Sequence, residues 1–139
     1  MGVVISMCRV MLADCEHLEI EALKLIIDRN VKLAKVIGKA QDGEEAIRMS
    51  EELDPDVIFL GFAMPGINGL EVADRIKKKD KNKKIILMSV YDDFKFVQKA
   101  LRIKVDDYLL KPIRPQKIID ILNEFIKDNK KRIEESNEN

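Results

Sequence analysis

The sequence predicts an α/β fold, a doubly wound parallel sheet of five strands, on two observations. Short apolar runs alternate five times with segments whose apolar residues recur at helical spacing. The central run, Val57 to Leu60, is unbroken, as in a strand covered on both faces. It ends at Gly61 in a loop carrying Pro65, Gly66 and Gly69, after which helical spacing resumes over Leu70 to Ile76. In such a sheet the loops beyond the carboxyl ends of the strands hold the functional site, which points to the neighbourhood of Gly61.

Arg9 to Ala13 reads as the first strand, with Asp14 at its carboxyl end. Ile20, Leu23, Ile26 and Ile27 give Glu19 to Ile27 the spacing of a helix. Ala34 to Ala40 is the second strand, Gln41-Asp42-Gly43 a turn, and Glu44 to Leu53 the second helix, which Asp54-Pro55 ends. Lys77 to Lys84 reads as a solvated basic helix end and loop. Ile85 to Met88 forms a fourth strand ending at Ser89, and Asp92 to Ile103 a fourth helix that turns Phe94, Val97, Ala100 and Leu101 to the sheet. Val105 to Leu110, interrupted by Asp106 and Asp107, is the fifth strand and ends in Lys111-Pro112. Pro115 opens a fifth helix to about Lys127, with Ile118, Ile119, Leu122 and Ile126 on its apolar face. Asp128 to Asn139 is almost wholly polar, either the frayed end of that helix or the start of a linker.

A chain of 139 residues has room for one domain with a proper core. Its 25 basic and 25 acidic side chains balance, so no whole-chain field favours nucleic acid, and no apolar run approaches the ~20 residues of a membrane span. The apolar stretch Gly2 to Ile5 lacks the basic segment and length of a secretion signal, and a cytoplasmic location is expected. Cys8 and Cys15 stand at either end of the first strand, about 20 Å apart at ~3.3 Å per residue, too far to pair with each other.

If the strands are parallel, Asp14, Gly61, Ser89 and Lys111 collect at one edge of the sheet. Together with Met64-Pro65-Gly66-Ile67-Asn68-Gly69, Tyr108 and Lys111-Pro112, in this order and on these elements, the chain resembles the CheY-like receiver domains of two-component response regulators over residues 8–127, leaving 128–139 as polar tail or linker. The wording around Tyr91-Asp92-Asp93-Phe94 and Asp106 to Pro112 is most similar to bacterial receivers that precede AraC-type DNA-binding domains. The resemblance implies the flavodoxin-like strand order 2-1-3-4-5. It also implies an aspartate nucleophile after the third strand, magnesium held by two acidic residues after the first, a hydroxyl and a lysine on the phosphoryl oxygens, and an aromatic switch.

Carried onto this chain, the nucleophile's position is Gly61, the acidic pair is Asp14 and Cys15, the hydroxyl and lysine are Ser89 and Lys111, and the switch is Tyr108. Gly61 has no nucleophile, and Asp56 lies ~16 Å upstream along an extended strand. No catalysis is expected at this site. With only Asp14 and nearby Glu16 as carboxylates, magnesium binding is expected to be weak or absent. Asp14 alone faces Lys111, and the two are expected to pair directly in the space left by the lost side chains. Each residue also has a plainer reading: Cys15 as an inert thiol, His17 as a surface residue opening the first helix, Ser89 and Lys111 as tolerated remnants, Tyr108 as strand packing. Lys104, where the family often has glycine, is expected to cost about 1 kcal/mol if its backbone is left-handed.

The function these residues support is a phosphorylation-independent module of two-component, phosphorelay signalling, acting through protein partners. Its face of fourth helix, fifth strand and fifth helix would carry dimerisation or docking, with Phe96, Ile103 and Ile113 adding apolar surface there. The alternative is an altered form of a conventional aspartate-phosphorylated receiver controlling a DNA-binding output domain. A single change would leave the rest of the pocket intact, and Cys15 counts against it. A nucleotide-binding enzyme on the same sheet would need a glycine-rich loop where Asp14-Cys15-Glu16-His17 stands.

Overall fold

The structure, a computed structural model, describes residues 7–137, with backbone alone from 132; the apolar stretch at 2–5 and residues 138–139 lie outside the described residues. The apolar runs become β1 (Cys8–Ala13), β2 (Ala34–Ala40), β3 (Val57–Gly61), β4 (Lys84–Ser89) and β5 (Asp107–Leu110). They pair in parallel in the order β2-β1-β3-β4-β5, as expected. Between and after them run α1 (His17–Asn30), α2 (Gly43–Leu53), α3 (Gly69–Lys79), α4 (Phe94–Ile103) and α5 (Pro115–Asn137).

Because successive strand residues face opposite ways, β1 and β3 feed two cores. Val10, Leu12, Val57 and Phe59 pack with Ile20, Leu23 and Ile27 of α1 and Ile118 and Leu122 of α5. Met11, Ala13, Ile58 and Leu60 pack with Ala46 of α2, Leu70, Val72 and Ile76 of α3 and Ala100 of α4. α2 and α3 start where side chains accept otherwise unpaired N–H groups: Asp42 from Glu45 at 2.8 Å and Asn68 from Glu71 at 3.0 Å.

Five expectations need correction. Phe94 and Leu101 of α4 do not face the sheet; they are 76% and 70% exposed, while Phe96 and Ile103 pack on the core beside Ala100. Ile113 likewise packs on the α1–α5 core, so Phe96, Ile103 and Ile113 are not the surplus surface. The basic run is not simply solvated. Lys77 donates to Asp106 Oδ2 at 2.8 Å and to the Lys83 carbonyl at 2.6 Å, and Lys83, 7% exposed, donates to the Pro55 carbonyl at 2.8 Å and pairs with Asp54. These bonds tie the α3–β4 turn to the entrances of β3 and β5. β5 begins only at Asp107, because Asp106 instead accepts the Ile85 N–H at 2.8 Å. Finally, α5 continues ten residues past Lys127 to Asn137, so most of the polar stretch is helix; it contains no glycine or proline to stop one.

Lys104 adopts the left-handed conformation, φ 68°, and its N–H caps α4 through the carbonyls of Ala100 and Leu101. The bonds offset part of the ~1 kcal/mol that a non-glycine residue costs there.

Candidate functional site

The register of the parallel strands assembles the site. Ala13 lies beside Leu60, Gly61 beside Met88, and Ser89 beside Leu110, so Asp14, Gly61, Ser89 and Lys111 follow one another along the carboxyl edge of the sheet. Backbone bonds extend the pairing one step further, Phe62 N–H to the Met88 carbonyl and Lys111 N–H to the Ser89 carbonyl, both at 2.8 Å. The Lys111–Pro112 peptide is cis.

Asp14 is 1% exposed, yet both its oxygens are satisfied. Oδ1 accepts the Glu16 N–H at 3.1 Å, and Oδ2 accepts Lys111 Nζ at 2.8 Å, the pairing expected from the sequence. Lys111 also pairs with Glu19 of α1, a partner that sequence reasoning missed. Glu16, the carboxylate expected nearby, is instead the exposed first cap of α1. Burial alone would lower the Lys111 pKa, but the hydrogen bonds to Asp14 and Glu19 outweigh it and the net shift is upward. The ammonium is therefore held across the neutral range, and its stabilisation is lost only as pH rises through that elevated value.

The Asp14 carboxylate lies over Gly61. A Cβ at Gly61 would meet Asp14 Oδ2 at 2.8 Å and Cγ at 2.9 Å, closer than carbon contacts allow. Gly69, at the start of α3, approaches the same strand end: its N–H donates to the Phe62 carbonyl at 2.7 Å, and a Cβ there would press on Gly61 O and lie 2.9 Å from Phe62 Cα. The loop between them is thus packed backbone on backbone. Among the described residues, no three His, Cys, Asp or Glu side chains are grouped to hold a metal ion.

Ser89 is buried, and its Oγ accepts the Tyr91 N–H at 3.0 Å. Tyr108 is half-buried, and its hydroxyl donates to the Tyr91 carbonyl at 2.6 Å. Cys15 and His17 are exposed. Although exposed, the Cys15 thiol is raised above its ordinary value, by partial desolvation first and by the charge of Asp14 next, with Lys111 pulling the other way. Less thiolate means slower alkylation, so Cys15 should react with iodoacetamide at pH ~8 more slowly than an unperturbed thiol, and Asp14→Asn should speed it. Cys8, buried and pushed up to about 12, does not compete. Equal rates before and after Asp14→Asn would contradict this.

The profile of the response regulator receiver domain matches residues 10–123. The chain is 39% identical over 89 residues to the nitrate/nitrite response regulator protein NarL of Escherichia coli K12, covering 64% of this chain and 41% of NarL. It is 32% identical over 126 residues to the uncharacterized transcriptional regulatory protein YesN of Bacillus subtilis, covering 91% of this chain and 34% of YesN. The receiver domain of AraT, a response regulator from Geobacillus stearothermophilus, superposes with a TM-score of 0.80 at 33% identity, over 89% of this chain and 96% of that one. The chain thus spans less than half the length of NarL and YesN.

Proposed function

The chain belongs to the response regulator receiver family, and from that premise we propose that it is a receiver working through protein contacts, without accepting a phosphoryl group. The observation that carries this reading is the Asp14 carboxylate lying over Gly61 with Lys111 bonded to it. A phosphoryl acceptor needs a carboxylate at the end of β3, and here that volume belongs to the neighbouring strand's aspartate. The lysine that would meet phosphoryl oxygens is engaged by Asp14 and Glu19. The residues present do not suit magnesium either. Such a site needs one or two free carboxylates beside phosphate oxygens, whereas Asp14 is committed to an ammonium and a backbone N–H and Cys15 offers a protonated thiol.

What remains functional in this reading is a surface. Phe94 and Leu101 of α4 and Leu110 of β5 expose apolar side chains beside Lys95, Lys99 and Arg102, also exposed, at the face of α4, β5 and α5. A second copy or another signalling protein docks there, and in a longer chain an output domain would receive the consequence. Self-association at this face should show in sedimentation at high protein concentration; a strict monomer there would exclude the homodimer. No helix among the described residues is long and apolar enough to cross a membrane.

Treatment with acetyl phosphate and magnesium, read by intact mass, tests the central claim on the protein and on Gly61→Asp. The unmodified protein should gain no phosphate. A stable adduct on it would overturn the reading and require another nucleophile, Asp14 or Cys15 first.

A further inference from the structure

The apolar stripe of α4 has a counterpart across the sheet. α1 carries Leu18, 80% exposed, Leu25, 50% exposed, and the exposed Ala22 between them. Leu18 and Leu25 are seven residues apart, two helical turns or about 10.5 Å along the axis, and so share one line of the helix. Phe94 and Leu101 of α4 stand at the same spacing. The two stripes match in length, and none of these four side chains belongs to either core. Their surroundings are opposite in charge. Residues 94–104 hold Lys95, Lys99, Arg102 and Lys104 with no acidic side chain, and none of these cations makes an ion pair among the described residues. Residues 16–29 hold Glu16, Glu19, Glu21 and Asp28 against Lys24 and Arg29. Glu21 and Asp28 are paired with Lys39 and Lys24, but these are solvent-facing pairs of little worth, free to turn to a new partner.

At about 100° per residue, Glu21 and Asp28 fall on one flank of the α1 stripe, and Lys95, Lys99 and Arg102 on one flank of the α4 stripe. With the two helices running in the same direction, the acidic flank meets the basic one while Leu18 faces Phe94 and Leu25 faces Leu101. A contact of α4 with α4 would instead set cations only against cations. α1 packs on the core at one face of the sheet and α4 on the core at the other. A chain therefore cannot close this contact on itself, and it can use both stripes at once. We propose that copies of this chain associate head to tail, the α1 stripe of one on the α4 stripe of the next, a heterologous contact that propagates beyond a two-fold dimer. This inference rests on the phosphate-independent reading of the α4 face as a docking surface and names its occupant. Two helical turns a side make a small contact, at the weak end of the range for protein interfaces, so association needs a high concentration of chains.

Sedimentation of the full chain from about 10 µM to about 1 mM tests it: the weight-average mass should climb past that of a dimer without a plateau there. Leu18→Lys with Leu25→Lys blocks the first stripe, and Phe94→Gln with Leu101→Gln strips the second. All four side chains are exposed, so the fold is kept, as circular dichroism would verify. Each double variant alone should associate at least about tenfold more weakly. Mixed in equal amounts they should recover association as a heterodimer and go no further, since each supplies the one intact stripe that the other lacks. Raising the salt from about 0.05 M to about 0.5 M should weaken the contact several-fold. A strict monomer, a plateau at dimer mass, association retained by the α1 variant alone, or a mixture that stays monomeric overturns the proposal. The phosphate-independent reading fails separately, through a phosphoryl adduct seen by intact mass after acetyl phosphate with magnesium. An adduct that left sedimentation unchanged would sink that reading and leave the head-to-tail contact standing.

Discussion

Lys111→Met lowers the stability of the fold by about 2–4 kcal/mol at neutral pH, through what it leaves behind more than through what it removes. Methionine keeps the length of the side chain and takes away its charge. Asp14, 1% exposed, then retains one N–H bond from Glu16 and no counter-charge, whereas Glu19, half-buried at the surface, returns to water. Removing one partner of a fully buried pair costs about 3–5 kcal/mol, and the lower figure here reflects the 19% exposure of the lysine. Removing both charges, in Asp14→Asn with Lys111→Met, should recover most of the loss, because no unpaired carboxylate remains. Urea unfolding at pH ~7 measures the single and the double variant; a loss below about 0.5 kcal/mol in Lys111→Met, or no recovery in the double variant, means the pair is no anchor.

The parts of this molecule that could be read from sequence are those fixed by local pattern. Val57 to Leu60 and Ala34 to Ala40 form strands because runs that short and apolar, bounded by turn residues, have few other uses. The pairing of Asp14 with Lys111 was legible because both stand at strand ends that a parallel sheet brings together. Glu19 was not, since it stands on no strand end, and its reach to Lys111 depends on α1 beginning two residues before it, at His17. The orientation of α4 was ambiguous for a different reason. Phe94, Phe96, Val97, Ala100, Leu101 and Ile103 spread over about half of the helix surface, wider than the stripe the core covers, so periodicity does not say which edge of that arc is buried. The fit of Phe96 against Phe62 and of Ala100 into the core makes the selection. Lys77 and Lys83 were misread because a run of lysines carries no sign of which will find carbonyls and carboxylates from distant turns.

Gly61→Ala should destabilise by about 1–3 kcal/mol, although alanine ordinarily favours a strand over glycine by roughly 0.5–1 kcal/mol. The backbone at Gly61 is not in the left-handed region, so an L-residue meets no conformational objection there. The cost must then come from the new methyl group, placed within 3 Å of Asp14 Cγ and Oδ2. Asp14 cannot step aside freely, because Lys111 and the Glu16 N–H hold its two oxygens. A double-mutant cycle separates this cause from any general intolerance of the strand end. In an Asp14→Ala background the obstructing carboxylate is gone, and Gly61→Ala should become neutral or stabilising, a coupling of at least about 1 kcal/mol. If the alanine is equally costly in both backgrounds, the glycine is required by backbone packing, as at Gly69, and Asp14 merely occupies a gap. If the cost disappears, Gly61 and Asp14 form one unit: the glycine creates the volume, and the aspartate fills it and holds the lysine. Restoring a carboxylate with Gly61→Asp must then also displace Asp14 from Lys111, which a variant that only regains a nucleophile would not require.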